Sequence, residues 1–405
     1  MVPNGWTPSQ VGDIAKFSSG GTPSKQQPEY WGGTEPWISG KDLKTHYLET
    51  SIDTLTEAGF QAAKKAPKGS SLILVRGMTL LKDFPVGYAT REVAFNQDLK
   101  ALVPAKNVDG LFLSFLLVAE KHKILQLVST AGHGTGRLDT HSIQDHPVNL
   151  PPLPEQKKIA KILSTWDKAI TTTEQLLANS QQQKKALMQQ LLTGKKRLLD
   201  KNGVRFNGEW KDIRLKNVLR EEKSRNKDDT IERVLSVTNH SGFVLPEDQF
   251  SKRVASDDVS NYKVVRKGQY GYNPSRLNVG SFARLDRYEE GLLSPMYVVF
   301  SVNEMHLNSD YFLYWMSSNE ATQRITGSTQ GSVRDSVGFD ALCGFPFKLP
   351  PMDEQQKIAS VLAKANQEIT LLQQKIDALK QEKKSLMQRL LTGKCRVKVD
   401  DVEIA

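Results

Sequence analysis

Apolar positions along this chain follow two rhythms. In two long segments they recur at alternating steps of about three and four residues, the spacing that keeps one face of a helix apolar. The first seam runs through Ile159, Ile162, Trp166, Ile170, Thr173, Leu177, Ser180, Lys184, Leu187 and Leu191. The second runs through Ile358, Val361, Ala365, Ile369, Leu372, Ile376, Leu379, Lys383, Leu386 and Leu390. Elsewhere, short β-branched and aromatic runs are broken by Gly and Pro, which predicts strand-rich globular segments of α/β character.

The two seams belong to one repeat. Residues 150–197 align without a gap on 349–396, an offset of 199, so that "LPPLPEQKKIAKIL" falls on "LPPMDEQQKIASVL" and "KKALMQQLLTGKKR" on "KKSLMQRLLTGKCR". Likeness over this length marks an internal duplication. Each copy announces a helix start: Pro154 suits the first turn, Asp353 can act as an N-cap, and Glu155 and Glu354 favour the positive end of the helix dipole. Each also announces a stop, at Gly194 or Gly393, with Lys195, Lys196, Lys394 and Arg396 near the negative end.

A helix over 155–193 would be about 58 Å long at about 1.5 Å per residue, more than a small domain is wide. It needs a partner along its length, and the other copy is the nearest with a fitting seam. Connectivity then sets direction. The first helix leads out of the first globular segment, and the second begins where the second segment ends. Pairing is therefore expected to be antiparallel, with one globular segment at each end and pseudo-two-fold symmetry. The polar seam positions Thr173, Ser180, Lys184 and Lys383 would set the register, and Trp166 aligned with Ala365 marks the two seams as not interchangeable.

The expected fold class is α+β: two globular α/β domains separated by a long antiparallel two-helix coiled coil. The domains fall at 1–153 and 198–352, the central helix at 154–197, the distal helix at 353–396 and an acidic tail at 397–405. The globular segments share landmarks more than sequence. Each opens on a Trp, "GWTPSQVGDIAKF" against "EWKDIRLKNVL", and has Lys-Gly before a strand-like run. Each later has Val-Gly, an aromatic-rich helical stretch ("GLFLSFLL", "DYFLYWM"), and a glycine-containing loop ending in arginine, "GHGTGR" and "GSVR". Alike rods with unlike heads suit a chain whose rods meet two copies of one partner while its heads meet different targets.

Charge sharpens this picture. The net charge of +10 invites nucleic acid as a partner. The excess, however, lies in the repeats: 155–197 holds 9 basic against 3 acidic residues and 354–396 holds 9 against 4, whereas 1–154 and 198–353 are close to neutral. Cys343 and Cys395 stand outside any metal-ligand spacing and read as ordinary reduced thiols. The apolar stretches are too short or too charged to span a membrane, and "MVPNGWTPSQ" lacks a secretory pattern, so the chain is expected in the cytoplasm.

Catalytic motifs are not found. "YNPSR" at 272–276 lacks the second proline of an amino-methyltransferase motif, and Asn273-Pro274 reads as a turn. "AGHGTGR" is not followed by a helical pattern, and "TGKKR" and "TGKCR" lack the rest of a phosphate-binding loop. His141 and His146 have poor metal-ligand spacing and read as surface histidines.

The proline-glutamine element joined to a terminal "LLTGK", present twice, and "GGTPSK" followed by "YWGGTEPWISGKDL" at 20–43 carry a resemblance. The chain resembles the DNA-specificity subunit of Type I restriction-modification systems over nearly its whole length. The resemblance implies a non-catalytic subunit: two target-recognition domains read the halves of a bipartite double-stranded DNA target, and the paired helices fix their spacing. The helices would also dock two modification subunits, which methylate adenine and hold the S-adenosylmethionine, and a translocating restriction subunit can join them. No cofactor or metal is expected in this chain. The second head lacks the "GGTPS" opening and has "EEKSRNKDD" at 221–229 instead, so a shared target sequence is not expected.

Near-neutral heads that approach phosphate need their basic residues gathered on one face. The candidate DNA contacts are Lys25, Arg76, Lys82, Arg91 and Arg137 in the first head, and Arg266, Arg276, Arg284 and Arg334 in the second. Asn273 is a candidate reader of a base edge. Arg137 and Arg334 stand out because each follows a Gly and Ser/Thr loop whose backbone could come close to DNA. The candidate partner-contacting residues are the apolar seam positions named above. The competing reading is a bivalent protein-binding scaffold without DNA sequence readout.

Overall fold

The computed structural model describes residues 2–130, 134–249, 258–329 and 336–399. By contacts the chain divides into two units, Met1–Glu174 with Gln374–Ala405, and Gln175–Gln373. Each unit holds one α/β head and one stretch of each of two long helices, Leu153–Leu191 and Met352–Leu390, both 39 residues long.

The first head is built on two sheets. A five-stranded sheet has the order Ala15–Ser19, Leu99–Pro104, Ser71–Leu74, Val86–Ala89, Tyr47–Leu48. A four-stranded sheet has the order Thr54–Leu55, Trp31–Ile38, Val93–Phe95, Lys65–Ala66. The helix Gly110–Leu125 packs on the larger sheet, and its N-cap, Asp109, accepts from the Phe112 amide at 2.8 Å. Ser71–Leu74 is buried on both faces, as the apolar run at 72–74 requires of a central strand.

The second head centres on an antiparallel sheet, Leu219–Glu221, Val298–Val302, Tyr270–Tyr272, Phe282–Arg284. In its core Tyr270 and Phe300 stack nearly parallel at 5.1 Å, and Phe312 meets both edge-on. The aromatic stretch singled out in the sequence forms the helix Ser309–Met316, capped by Asn308.

Within each unit the long helices pack side by side and run in opposite directions. In the first unit Asp167 pairs with Lys383 at 2.5 Å and Glu174 with Lys380 at 2.7 Å, the second number falling as the first climbs. In the second unit Ser180 donates to Glu368 at 2.9 Å. Every apolar seam residue is buried or half-buried, while flanking positions such as Lys161, Lys168, Glu174, Lys364 and Lys375 are exposed. At their ends the seams leave the partner helix and enter the heads. Ile159, Ala160, Leu163, Met387, Leu390 and Leu391 join the first head's core, and Leu191, Leu192, Ile358, Ala359 and Leu362 join the second's.

Two local expectations change. Asp353 lies inside the first turn and not at the cap, because the helix already begins at Met352. His146 is not a surface histidine: only 7% exposed, it bonds Glu120 through Nε2 at 3.0 Å, and His141 alone of the two is exposed.

Candidate nucleic-acid interface

The repeated Glu-Gln pair fastens each head to the rod. In the first unit Glu155 is fully enclosed, accepting from Trp6 Nε1 at 3.1 Å and from both Nε and Nη2 of Arg396, at 2.7 and 2.8 Å. Arg396 also donates to the Asn4 carbonyl. In the second unit Glu354 accepts from Trp210 Nε1 at 2.9 Å and from Nε and Nη2 of Arg197 at 2.5 and 2.7 Å, and Arg197 donates to the Gly208 carbonyl. A buried carboxylate is tolerated only when its lone pairs are filled in this way.

The neighbouring glutamines act as backbone brackets. Gln156 accepts from the Asp109 amide at 2.9 Å and donates to the carbonyls of Asn107 and Pro151. Gln355 does the same with the Asn308 amide and the carbonyls of His306 and Pro350. The helix stops complete the arrangement. Gly194 and Gly393, both at φ +70°, turn the chain under Trp210 and beside Trp6 respectively, where a left-handed residue with a side chain would be strained. In the sequence the glutamates show only as partners of the helix dipole. Their real partners lie 144–241 residues away, and the repetition of Trp, Glu-Gln and Arg in both halves was the signal that could have found them.

Among the candidate contacts of the first head, the structure brings Arg76 and Arg137 together. They stand directly opposite each other in the ribbon formed by Arg76–Gly77, Gly136–Arg137 and Ser129–Thr130, and both are exposed. Like charges facing across a ladder repel. No ion pair holds either arginine among the described residues. Nearby Asp139 spends its carboxylate mainly on the Ser142 amide, a bond that lowers its pKa, as do the His141 amide and the charge of Arg137.

Lys82 is exposed just past the 3₁₀ turn Met78–Leu81, which packs on Gly136 of the same ribbon. Lys25 is exposed in a turn. Arg91 is exposed but paired with Glu35 at 2.5 Å.

In the second head Asn273 and Arg276 line one cavity of about 560 Å³ together with Asn239, Tyr262 and Tyr297. Asn273 caps the 3₁₀ helix Pro274–Val279, its amide oxygen accepting from the Ser275 amide at 3.0 Å, so the turn expected there forms and only Nδ2 faces a further partner, Met296 Sδ at 3.8 Å. Arg266 is exposed opposite Glu290, 3.9 Å away. Arg284 is three-quarters or more covered and held by Asp286 and Asp310, each at 2.7 Å. Its guanidinium is thus already neutralised. Arg334 lies outside the described residues, as do Ala131, Gly132 and His133 of the first glycine loop.

Among the described residues no helix is long and apolar enough to cross a membrane, and no cluster of His, Cys, Asp and Glu could hold a metal ion.

Two long antiparallel helices, each clasping an unlike α/β head, define a duplicated two-headed class of protein. The family described as Type I restriction modification DNA specificity domain matches residues 3–179 and 275–381, and the chain belongs to this family. It is 31% identical over 160 residues to the EcoR124I/EcoR124II specificity subunit of Escherichia coli, covering 39% of this chain and 40% of that protein. Over 98% of this chain and 94% of the relative it is 24% identical to the MjaVIII specificity subunit of Methanocaldococcus jannaschii. The chain thus matches about two fifths of the length of the E. coli relative and nearly all of the archaeal one. A crystal structure of a Type I restriction-modification S subunit from M. genitalium has the same fold, with a TM-score of 0.57 at 12% identity, covering 96% of this chain and 99% of that one.

Proposed function

We propose that this chain is the non-catalytic DNA-specificity subunit of a Type I restriction-modification enzyme. Its two heads, 1–153 and 198–352, would read the unlike halves of a bipartite duplex target. The helices at 154–197 and 353–396 would hold them at a set spacing and dock two adenine-methyltransferase subunits. A complete restriction enzyme adds a translocating nuclease. S-adenosylmethionine belongs to the methyltransferase partners in this reading.

The observation that carries the proposal is the duplicated clasp: the same Trp, Glu, Gln and Arg set fastens two different heads to two copies of one helix. Selection for one shared scaffold and two separate recognition surfaces accounts for that pattern.

The arginine pair supplies the chemistry of contact in the first head. Arg76 and Arg137 repel each other in the free chain, and a phosphate between or beside them removes the repulsion and accepts from both guanidinium groups. In the second head Asn273 Nδ2 and Arg276 share a cavity wide enough for a base edge or a backbone segment.

The test is duplex binding by the complex reconstituted with its modification subunits, followed from about 50 to about 200 mM salt. Binding should be sequence-selective and fall steeply with salt, and Arg137→Ala should lessen the slope of log K against log salt by about 0.9 for the lost phosphate contact, without lowering the thermal midpoint of the chain. Binding indifferent to sequence and to salt would favour the protein-scaffold reading instead.

A further inference from the structure

The repeat puts Lys383 and Lys184 at the same position of the two seams, and their surroundings differ. In the first unit Lys383 pairs with Asp167 at 2.5 Å and lies 5.1 Å from the centre of the Phe115 ring. Tyr47 donates its hydroxyl to Asp167 at 3.2 Å, and His46 stacks on Phe115 with ring centres 5.0 Å apart. That site is filled and neutral.

In the second unit the residue at the place of Asp167 is Asn366, and the residue at the place of Phe115 is Tyr314, whose hydroxyl accepts from Asn366 at 3.3 Å. The lysine is common to both units and the acid is not. Lys184 is half-buried, desolvation holds its pKa below the ordinary lysine range, and no ion pair reaches it among the described residues. It lines an open cavity of about 790 Å³ with Met188, Leu192 and Ile369 on the walls and Lys185 and Lys195 nearby. Glu320, also on the wall, is already engaged by Arg324 at 2.6 Å.

We propose that this cavity receives an acidic side chain from an apolar-faced helix of a partner subunit, and that only the second unit offers such a site. A half-desolvated cation without a counter-ion, above apolar walls, is complementary to a carboxylate carried on an amphipathic helix. The first unit supplies the precedent, because there the same lysine is matched by a carboxylate of this chain. The inference rests on the reading that two modification subunits dock on the helices. Two identical partners would then meet unequal sites.

Titrating the cognate modification subunit onto the full chain without DNA, by calorimetry, resolves the two binding steps. Lys184→Met should weaken one step by about tenfold and leave the other unchanged. Folding is not at risk, since the variant removes a desolvated charge and keeps the apolar stem. Asn366→Asp supplies the carboxylate from within, so it should weaken the same step while raising the chain's thermal midpoint. If both steps keep their affinity in both variants, the inference is overturned and the docking reading stands. If the wild-type chain binds no modification subunit, both fall. An effect seen only in the DNA affinity of the assembled complex would make Lys184 a phosphate contact and overturn the inference as well.

Discussion

His46 shows how much a single side chain in this molecule depends on burial. It sits between Phe115 and Tyr47, within 3.3 Å of the Ser114 hydroxyl, and faces Asp167 and Lys383 from the two long helices. Desolvation is the largest influence and lowers its pKa from 6.5 to about 4; Lys383 adds to this, while Asp167 and a bond with the Val86 backbone oppose it. The unfolded chain therefore takes up the proton first on acidification. Stability from this group is complete above about pH 6.5 and is lost as the pH falls toward about 4, a loss of about 3 kcal/mol over the window. Thermal midpoints measured across that range should fall for the wild type and fall distinctly less for His46→Phe, which keeps the stack on Phe115 and cannot be protonated. Parallel profiles would contradict the assignment. None of this was visible in "KTHYLE", because the groups that bury His46 come from a helix about 70 residues away and from both rods. The same distance effect hid the fate of Arg284. It reads as a free cation in the sequence, yet Asp286 and Asp310 close on it together.

At the scale of elements, the long helices were the most legible part of the chain. Their seams, their starts and their antiparallel direction follow from periodicity, Gly, Pro and connectivity, and the helices observed start one residue before the bounds expected and end six residues short of them. Less legible was the role of the "PEQ" and "DEQ" elements, since an enclosed glutamate declares its partners only when the fold brings them in. Those partners define a sharp expectation. Glu354 is fully buried and Arg197 about three-quarters so, and removing the guanidinium leaves the carboxylate without its ion pair, with Trp210 still donating to it. Arg197→Met should cost the second unit about 3 kcal/mol, read as a lowered urea midpoint. Replacing both members, Arg197→Met with Glu354→Leu, should recover much of that loss, as apolar substitutes for buried pairs often do. A single variant as stable as the wild type would show that the pair is not what fastens head to rod.

For the molecule as a whole, the proposed reading makes the helices a ruler. Half-sites approached from one side of a duplex lie about one turn, roughly 34 Å, apart. Each helix of 39 residues is about 58 Å long. One heptad added to both helices lengthens them by about 10 Å, close to three base pairs. The seam repeats every seven residues, so the insertion keeps its register. The most direct test is methylome sequencing of a host that carries the modification subunits together with either the wild-type chain or the heptad-extended one. The account predicts a methylated motif of two unlike half-sites around an unspecified spacer, and in the extended chain the same half-sites with the spacer longer by about three base pairs. A continuous motif, or an unchanged spacer in an extended chain that still methylates, would contradict it.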